Sequence, residues 1–283
     1  MKTSIAVIAL ASLLAPAGLD LGIDLTKATQ EEFQRYVKTV EATVDARTGG
    51  KRRFLWVDES AVRLQRVKDR GEVVIERTLG KGPQGITDGL VHDWIGTVFI
   101  KGVTLDQTLA MVQDYGRHKT IYPEVMDSKI ISREGDHFVI FLRFMKKKAM
   151  VTAVLDTEHD AEYFRLDANR VYSRSRTIRI QEVKNMGTPD ERKLPPGSDS
   201  GFMWALDSYW RFAARDGGVY VECQAVSLSR SIPFWARAIT IGLIGPIVND
   251  LPRESLLGTL TATRDAVQKA AAAATPSTRA ATK

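Results

Sequence analysis

The sequence predicts an α+β fold: a curved antiparallel sheet of about seven strands packed on a long C-terminal helix, preceded by an extension of one helix and short strands. Three observations predict it. Six apolar or alternating stretches follow one another between residues 127 and 229, separated by short turns such as "REGD", "MKKK", "LDAN" and "RDGG", and tight turns join antiparallel neighbours. A seventh strand, "HDWIGTVFI", precedes them across two short helical segments. Finally, from about Pro252 to Ala270, Leu256, Leu260 and Val267 fall on one helical stripe while Arg253, Glu254, Arg264, Asp265 and Lys269 stay polar.

With 283 residues, 44% of them hydrophobic and 26% charged, the chain can bury a substantial core. A formal net charge of +6 favours anionic surfaces in general. Nucleic acid is not an expected partner, because basic residues are scattered among acidic ones. Lys51-Arg52-Arg53 and Lys146-Lys147-Lys148 are short runs with no nucleic-acid module around them. At the start, Lys2, the apolar run Ile5 to Ala15 and the small triplet Ala15-Pro16-Ala17 have the shape of a secretory signal peptide over residues 1–17, or of an uncleaved anchor. The expectation is an exported protein, periplasmic or secreted. Cys223 is the single cysteine, so no intramolecular disulfide forms and the fold must stand on its core. In an alternating strand it reads as a small buried hydrophobe.

Taken in order, residues 18–89 form the extension. Thr29 followed by Glu32 reads as a capping box, and Phe33, Tyr36, Val37, Val40 and Val44 recur at helical spacing to Arg47. "RFLWVDES" and "EVVIERTL" read as short strands separated by the charged "VRLQRVKDRG". The main domain spans 90–270. A strand from Asp93 to Ile100 leads to a helix capped by Thr104, with Leu105, Leu109 and Val112 on one stripe, and Pro123 ends a second short helical segment. The six meander strands follow at 127–132, 137–145, 150–164, 171–183, 202–213 and 219–229. A Pro/Gly-rich loop at 184–201 interrupts them, and residues 271–283 read as a disordered tail.

"VTLDQTLAMVQDYGRHKTIYPEVMDSKIISREGDHFVIFLR" and "GPIVNDLPRESLLGTLTATRDAV" carry a resemblance to the START-like (SRPBCC) superfamily and its helix-grip fold. That group includes lipid-transfer proteins and polyketide cyclase/dehydrase-like proteins. The resemblance covers about residues 90–270 and rests on a hydrophobic pattern plus Tyr122-Pro123. It implies a small hydrophobic ligand in an internal cavity. No cofactor or metal is expected.

Strand alternation then nominates the lining. Val221, Cys223 and Ala225 form a small row; Trp204, Leu206 and Trp210 a bulky one; Phe138, Ile140 and Leu142 a third; Tyr122 stands beside them. Pattern alone leaves open whether these close into a packed core or leave a pocket, and the resemblance favours the pocket. Arg176, Arg179, Asp207 and Tyr209 are polar candidates for it, unless they decorate the outer face. "IPFWARAITIGLIG", Ile232 to Gly245, is too short to span a bilayer. It would lay Phe234, Ile239 and Leu243 across the open sheet as a lid, hinged at Gly242, Gly245 and Pro246, or as a static gripping segment. The reading is a binding or transport protein for a lipid-like or polycyclic molecule, with transient membrane contact. A cyclase or dehydratase using the same cavity is the alternative, and no catalytic residue is assigned. None of His92, His118, His137 or His159 has a clear inward position, and no H-E-x-x-H, G-x-S-x-G, P-loop or G-x-G-x-x-G context is present.

Overall fold

A computed structural model describes residues 25–80, 82–148, 151–195, 198–231 and 245–274. Helix α1 (Lys27–Thr48) buries Phe33, Tyr36, Val37, Val40 and Val44, the stripe its spacing predicts. Its cap is Thr26, whose hydroxyl accepts from Thr29 N at 3.1 Å. Glu32 closes no capping box; its carboxylate accepts from the N–H and the hydroxyl of Thr87, each at 2.9 Å.

The next two segments correct the sequence reading. "FLWVDES", expected as a strand, contains a 3-10 turn at Trp56–Glu59. Its Trp56 and Val57 N–H groups donate to the Glu222 carboxylate at 3.0 and 3.2 Å. The charged stretch expected to be a connection is helix α2 (Ala61–Lys68), capped by Ser60, with Val67 buried. Strand β1 (Val74–Arg77) lies where "EVVIERTL" predicts a strand, and β2 (Gln84–Ile86) is a short addition.

Strand β3 (Gly89–Lys101) leads to α3 (Leu105–Val112), where Thr104 and Gln107 make a complete capping box, and to α4 (His118–Ile121), ended by Pro123. The meander follows as β4 (Val125–Glu134), β5 (His137–Lys148), β6 (Val151–Arg165) and β7 (Arg170–Lys184). Short β8 (Arg192–Lys193) comes next, then β9 (Ala205–Arg215) and β10 (Gly218–Arg230). "MKKK" is no turn, since Lys146 to Lys148 continue β5.

The sheet is antiparallel and open, in the order β1-β3-β10-β9-β7-β6-β5-β4, with β2 on β3 and β8 on β7. Among the described residues it has ten strands, because the extension and the long loop contribute β1, β2 and β8. The chain ends, among the described residues, in helix α5 (Gly245–Ala274). That helix includes Gly245-Pro246, where a break was expected. Pro246 sits in its first turn, where a missing N–H costs nothing. It also includes Ala271 to Ala274 from the expected tail; the rest of the tail, the expected signal peptide and residues 232–244 lie outside the described residues. No described helix is long and apolar enough to cross a membrane.

The sheet is covered on both faces. On one, α1 packs its stripe on Val91, Tyr209, Val226 and Leu228. Beside it Leu55, Trp56, Val57 and Val67 pack on Ile95, Phe99, Ala213 and Tyr220. On the other face α5 crosses β3, and Leu256, Leu260 and Val267 join Val98, Ile100, Val219, Val221 and Phe212. Gly96 lets the helix approach: a Cβ there would lie 2.8 Å from Leu260 Cδ1. Tyr122 and Thr263 share a hydrogen bond of 3.1 Å, and Ser255 donates to Glu124 at 2.9 Å, tying α5 to the α4–β4 corner.

Candidate functional site

Residues paired across neighbouring strands share a face, so the register assigns every strand residue to α1 or α5. On the α5 side Val98, Gly96, Trp94 and His92 of β3 stand opposite Val221, Cys223, Ala225 and Ser227 of β10. Those in turn pair with Phe212, Trp210, Ser208 and Leu206 of β9. The row continues through Val171, Ser173 and Ser175 of β7, then Tyr163, Ala161 and His159 of β6, to Phe138, Ile140 and Leu142 of β5.

This face has two halves. Near the β9–β10 turn it is packed: Phe212, Val219 and Val221 are all 0% exposed. Ring contacts run Tyr115–Phe138–Tyr163–Phe212–Trp210 at centroid separations of 5.2, 5.9, 6.5 and 6.1 Å. Towards the other end, burial alternates along the central strands. Asp207, Tyr209, Gln224, Val226 and Leu228, on the α1 side, are buried, whereas Leu206, Ser208, Trp210, Ala225 and Ser227, on the α5 side, are only half-buried. Central strands reach solvent on one face only if space is left over them. The five lining side chains are small or apolar and none is ionisable.

Two buried polar groups border this half. Among the described residues the Trp94 indole N–H and the His92 Nδ1 have no hydrogen-bond partner. His92 Nε2 is 2.9 Å from Ser229 Oγ, and the Arg77 guanidinium lies 4.1 Å over the Trp94 ring. A buried polar atom without a partner costs about 1–3 kcal/mol.

The other histidines of this side are tethered. His159 Nε2 is 2.9 Å from Thr157 Oγ1. His118 Nε2 donates to the Val112 carbonyl at 3.1 Å, with the ring edge-on to Tyr122. Burial lowers His92, His118 and His159 to about 4, so all three are neutral at pH 7 and weak bases. Burial pushes Tyr122 up to about 12 and raises the Cys223 thiol well above its ordinary value.

The structure thus places Tyr122, Phe138, Ile140, Leu142, Val221 and Cys223 in the packed α5-side cluster, and Leu206, Trp210 and Ala225 at its half-open end. Phe234, Ile239 and Leu243 lie outside the described residues, in a run that begins just after Ser231 at that end. Trp204 belongs to the α1 cluster: it precedes β9, its N–H donates to the Leu228 carbonyl at 2.7 Å, and its indole donates to Asp199 at 3.0 Å. Of the polar candidates, Asp207 and Tyr209 face α1. Asp207 accepts from Thr177 N at 3.3 Å and burial raises it to about 6. Tyr209 donates to Glu41 at 3.4 Å. Arg176 pairs with the same Glu41, and exposed Arg179 pairs with Glu158. His92 and Trp94, the polar pair beside the open half, were missed: they share the parity of Val98, but only its pairing with Val221 in β10 puts that parity on the α5 side.

Two surface clefts lie elsewhere. One of about 300 Å³ is lined by Phe54, Asp58, Asp167 and Arg170 among others. The other, of about 230 Å³ between α3 and the β4–β5 and β6–β7 turns, meets the packed cluster at Leu109, Tyr163 and Val171. Among the described residues no group of three His, Cys, Asp or Glu side chains could hold a metal ion.

No protein-family model matches the chain, and no curated protein does. Solved structures do. A STAR-related lipid transfer protein from Xanthomonas axonopodis is 17% identical, covering 66% of this chain and 98% of its own, with a TM-score of 0.41. An aromatase/cyclase from a Streptomyces species is 11% identical, covering 64% and 96%, with a TM-score of 0.41. A START superfamily protein from Mycobacterium smegmatis is 12% identical, covering 63% and 99%, with a TM-score of 0.40. At this distance the chemistry of the site has to be read from the chain's own side chains.

Proposed function

We propose that the chain is an exported binding protein that holds a hydrophobic, lipid-like or polycyclic molecule between the α5 side of its sheet and the apolar run 232–244, which serves as lid. One observation carries this reading: over residues 206–210 and 224–228 of β9 and β10, half-burial falls on Leu206, Ser208, Trp210, Ala225 and Ser227, all on one face of the sheet. An apolar guest there removes that surface from water, at ~25 cal/mol per Å². Leu206 and Trp210 supply the apolar floor, while the small Ser208, Ala225 and Ser227 leave the volume.

Binding is favoured over the cyclase alternative because the buried histidines are neutral and weakly basic, whereas general acid–base catalysis works best with a group poised near the operating pH. Export through cleavage after residue 17, and brief contact of the lid with a membrane while the guest passes, complete the proposal.

Native mass spectrometry of freshly purified protein tests it, with titration by a fluorescent fatty acid or sterol. A non-covalent adduct, or saturable uptake at one site, is expected. A bare chain that takes up neither probe contradicts the proposal.

A further inference from the structure

Resting on that reading, we infer that the guest carries an oxygen function, a carbonyl or hydroxyl, at the end of its hydrocarbon body that lies against β3, where the Trp94 indole N–H and the His92 Nδ1 receive it. Both groups are almost fully buried, 7% and 2% exposed, and both lack a partner among the described residues. They stand two residues apart on one strand, hence on the same face. Across the pairing lie Ala225 and Ser227, two of the half-buried residues, so the unpaired nitrogens lie on the same face as the half-open region and next to it in the sheet.

Other unpaired nitrogens do not share this setting. Arg211 Nη1 and Nη2 and Arg47 Nε also lack partners, but they lie on the α1 side. There Arg211 and Glu222 are 0% exposed and Tyr209, Gln224 and Tyr220 close around them, so a guest has no way in.

The donor set defines the guest's chemistry. An indole N–H only donates, and a neutral imidazole Nδ1 donates or accepts according to its tautomer, which here follows from which of His92 Nε2 and Ser229 Oγ carries the shared hydrogen. A ketone oxygen takes the indole proton, and the imidazole too when Nδ1 carries hydrogen. A hydroxyl takes the indole proton and gives its own to Nδ1 in the other tautomer. A bare hydrocarbon satisfies neither nitrogen.

The test is displacement of Nile red from the full chain by four ten-carbon compounds: decane, 2-decanone, 1-decanol and decanoate. The ketone and the alcohol should displace the dye at about tenfold lower concentration than decane. Trp94→Phe, which keeps an aromatic ring and removes the N–H, should abolish that preference, so that 2-decanone, 1-decanol and decane displace the dye at similar concentrations. Where wild type takes up decane and 2-decanone equally, or Trp94→Phe weakens both alike, the inference fails while the binding reading stands. Decanoate preferred over both neutral compounds also overturns it. No displacement by any of the four overturns both. Should Trp94→Phe not fold, the wild-type indole N–H resonances decide. One of the five tryptophans should shift downfield with 2-decanone and not with decane; identical spectra refute the inference.

Discussion

Glu222 and His92 are both buried side chains on neighbouring central strands, one on each face of the sheet. Glu222, on the α1 side, accepts four hydrogen bonds: from Trp56 N, Val57 N, Thr97 Oγ1 at 2.8 Å and Arg211 Nε at 2.8 Å. Nearby, Asp93 accepts from Tyr36 at 2.8 Å and from Gln224 at 2.9 Å. These bonds reach from the sheet into the extension, so α1 and the 3-10 turn are clamped to the strands. His92, on the α5 side, has one partner, Ser229, for two ring nitrogens among the described residues, and Ser227 and Ala225 across the pairing stay half-buried. The difference teaches a division of labour: one face is closed by its own polar groups, while the other holds polar groups and surface in reserve.

The comparison breaks most readily at Glu222. Removing its charge leaves Arg211 buried without its counter-ion, so Glu222→Gln should cost about 3–5 kcal/mol in urea unfolding. Replacing both partners, as in Glu222→Leu with Arg211→Met, should recover much of that loss. A single variant no worse than the double would show that the α1 side is not clamped in this way.

Acid should act on the α5 side. A histidine whose folded value lies near 4, below its unfolded 6.5, binds fewer protons folded than unfolded between those values. Its stability is therefore present above pH 6.5 and is lost as the pH falls towards 4, by up to about 3 kcal/mol for each such group. His159→Gln should flatten the acid limb of the pH–stability profile by that order; an unchanged limb would deny His159 its neutral, buried state.

Gly96→Val pushes Leu260 and Ile75 away from β3 and should cost about 1–3 kcal/mol, loosening α5 and uptake together. Asp207, raised to about 6, behaves with the opposite sign. It binds more protons folded than unfolded between about 4 and 6, so its charged form weakens the α1 side above pH 6. Asp207→Asn should stabilise at pH 7 by about 1 kcal/mol, a gain that disappears below pH 4.

Much of this was legible in the sequence. Alternation and turn chemistry located the meander strands, and the stripes of α1 and α5 were visible as spacing. What escaped depends on distant contacts. "FLWV" reads as a strand until Glu222, far along the chain, takes its N–H groups, and α2 buries chiefly Val67, too little to produce a periodic stripe. Parity could have removed Asp207 and Tyr209 from the cavity set, since they alternate with Leu206 and Trp210. Parity could not have removed Trp204, which precedes β9 and follows the loop. His92 and Trp94 needed the β3–β10 register, which one strand read alone does not contain.

The space over the central strands is tested most directly by filling it. Ala225→Phe points a large ring into the half-open region, whereas Val226→Phe points the same ring into the sealed α1 side. Urea unfolding of both variants, with probe uptake measured on each, separates the faces. Ala225→Phe should unfold at the wild-type midpoint and take up no ligand, while Val226→Phe should lose about 1–3 kcal/mol from overpacking. An equal loss of stability from both would mean that the two faces are packed alike and that no guest has room.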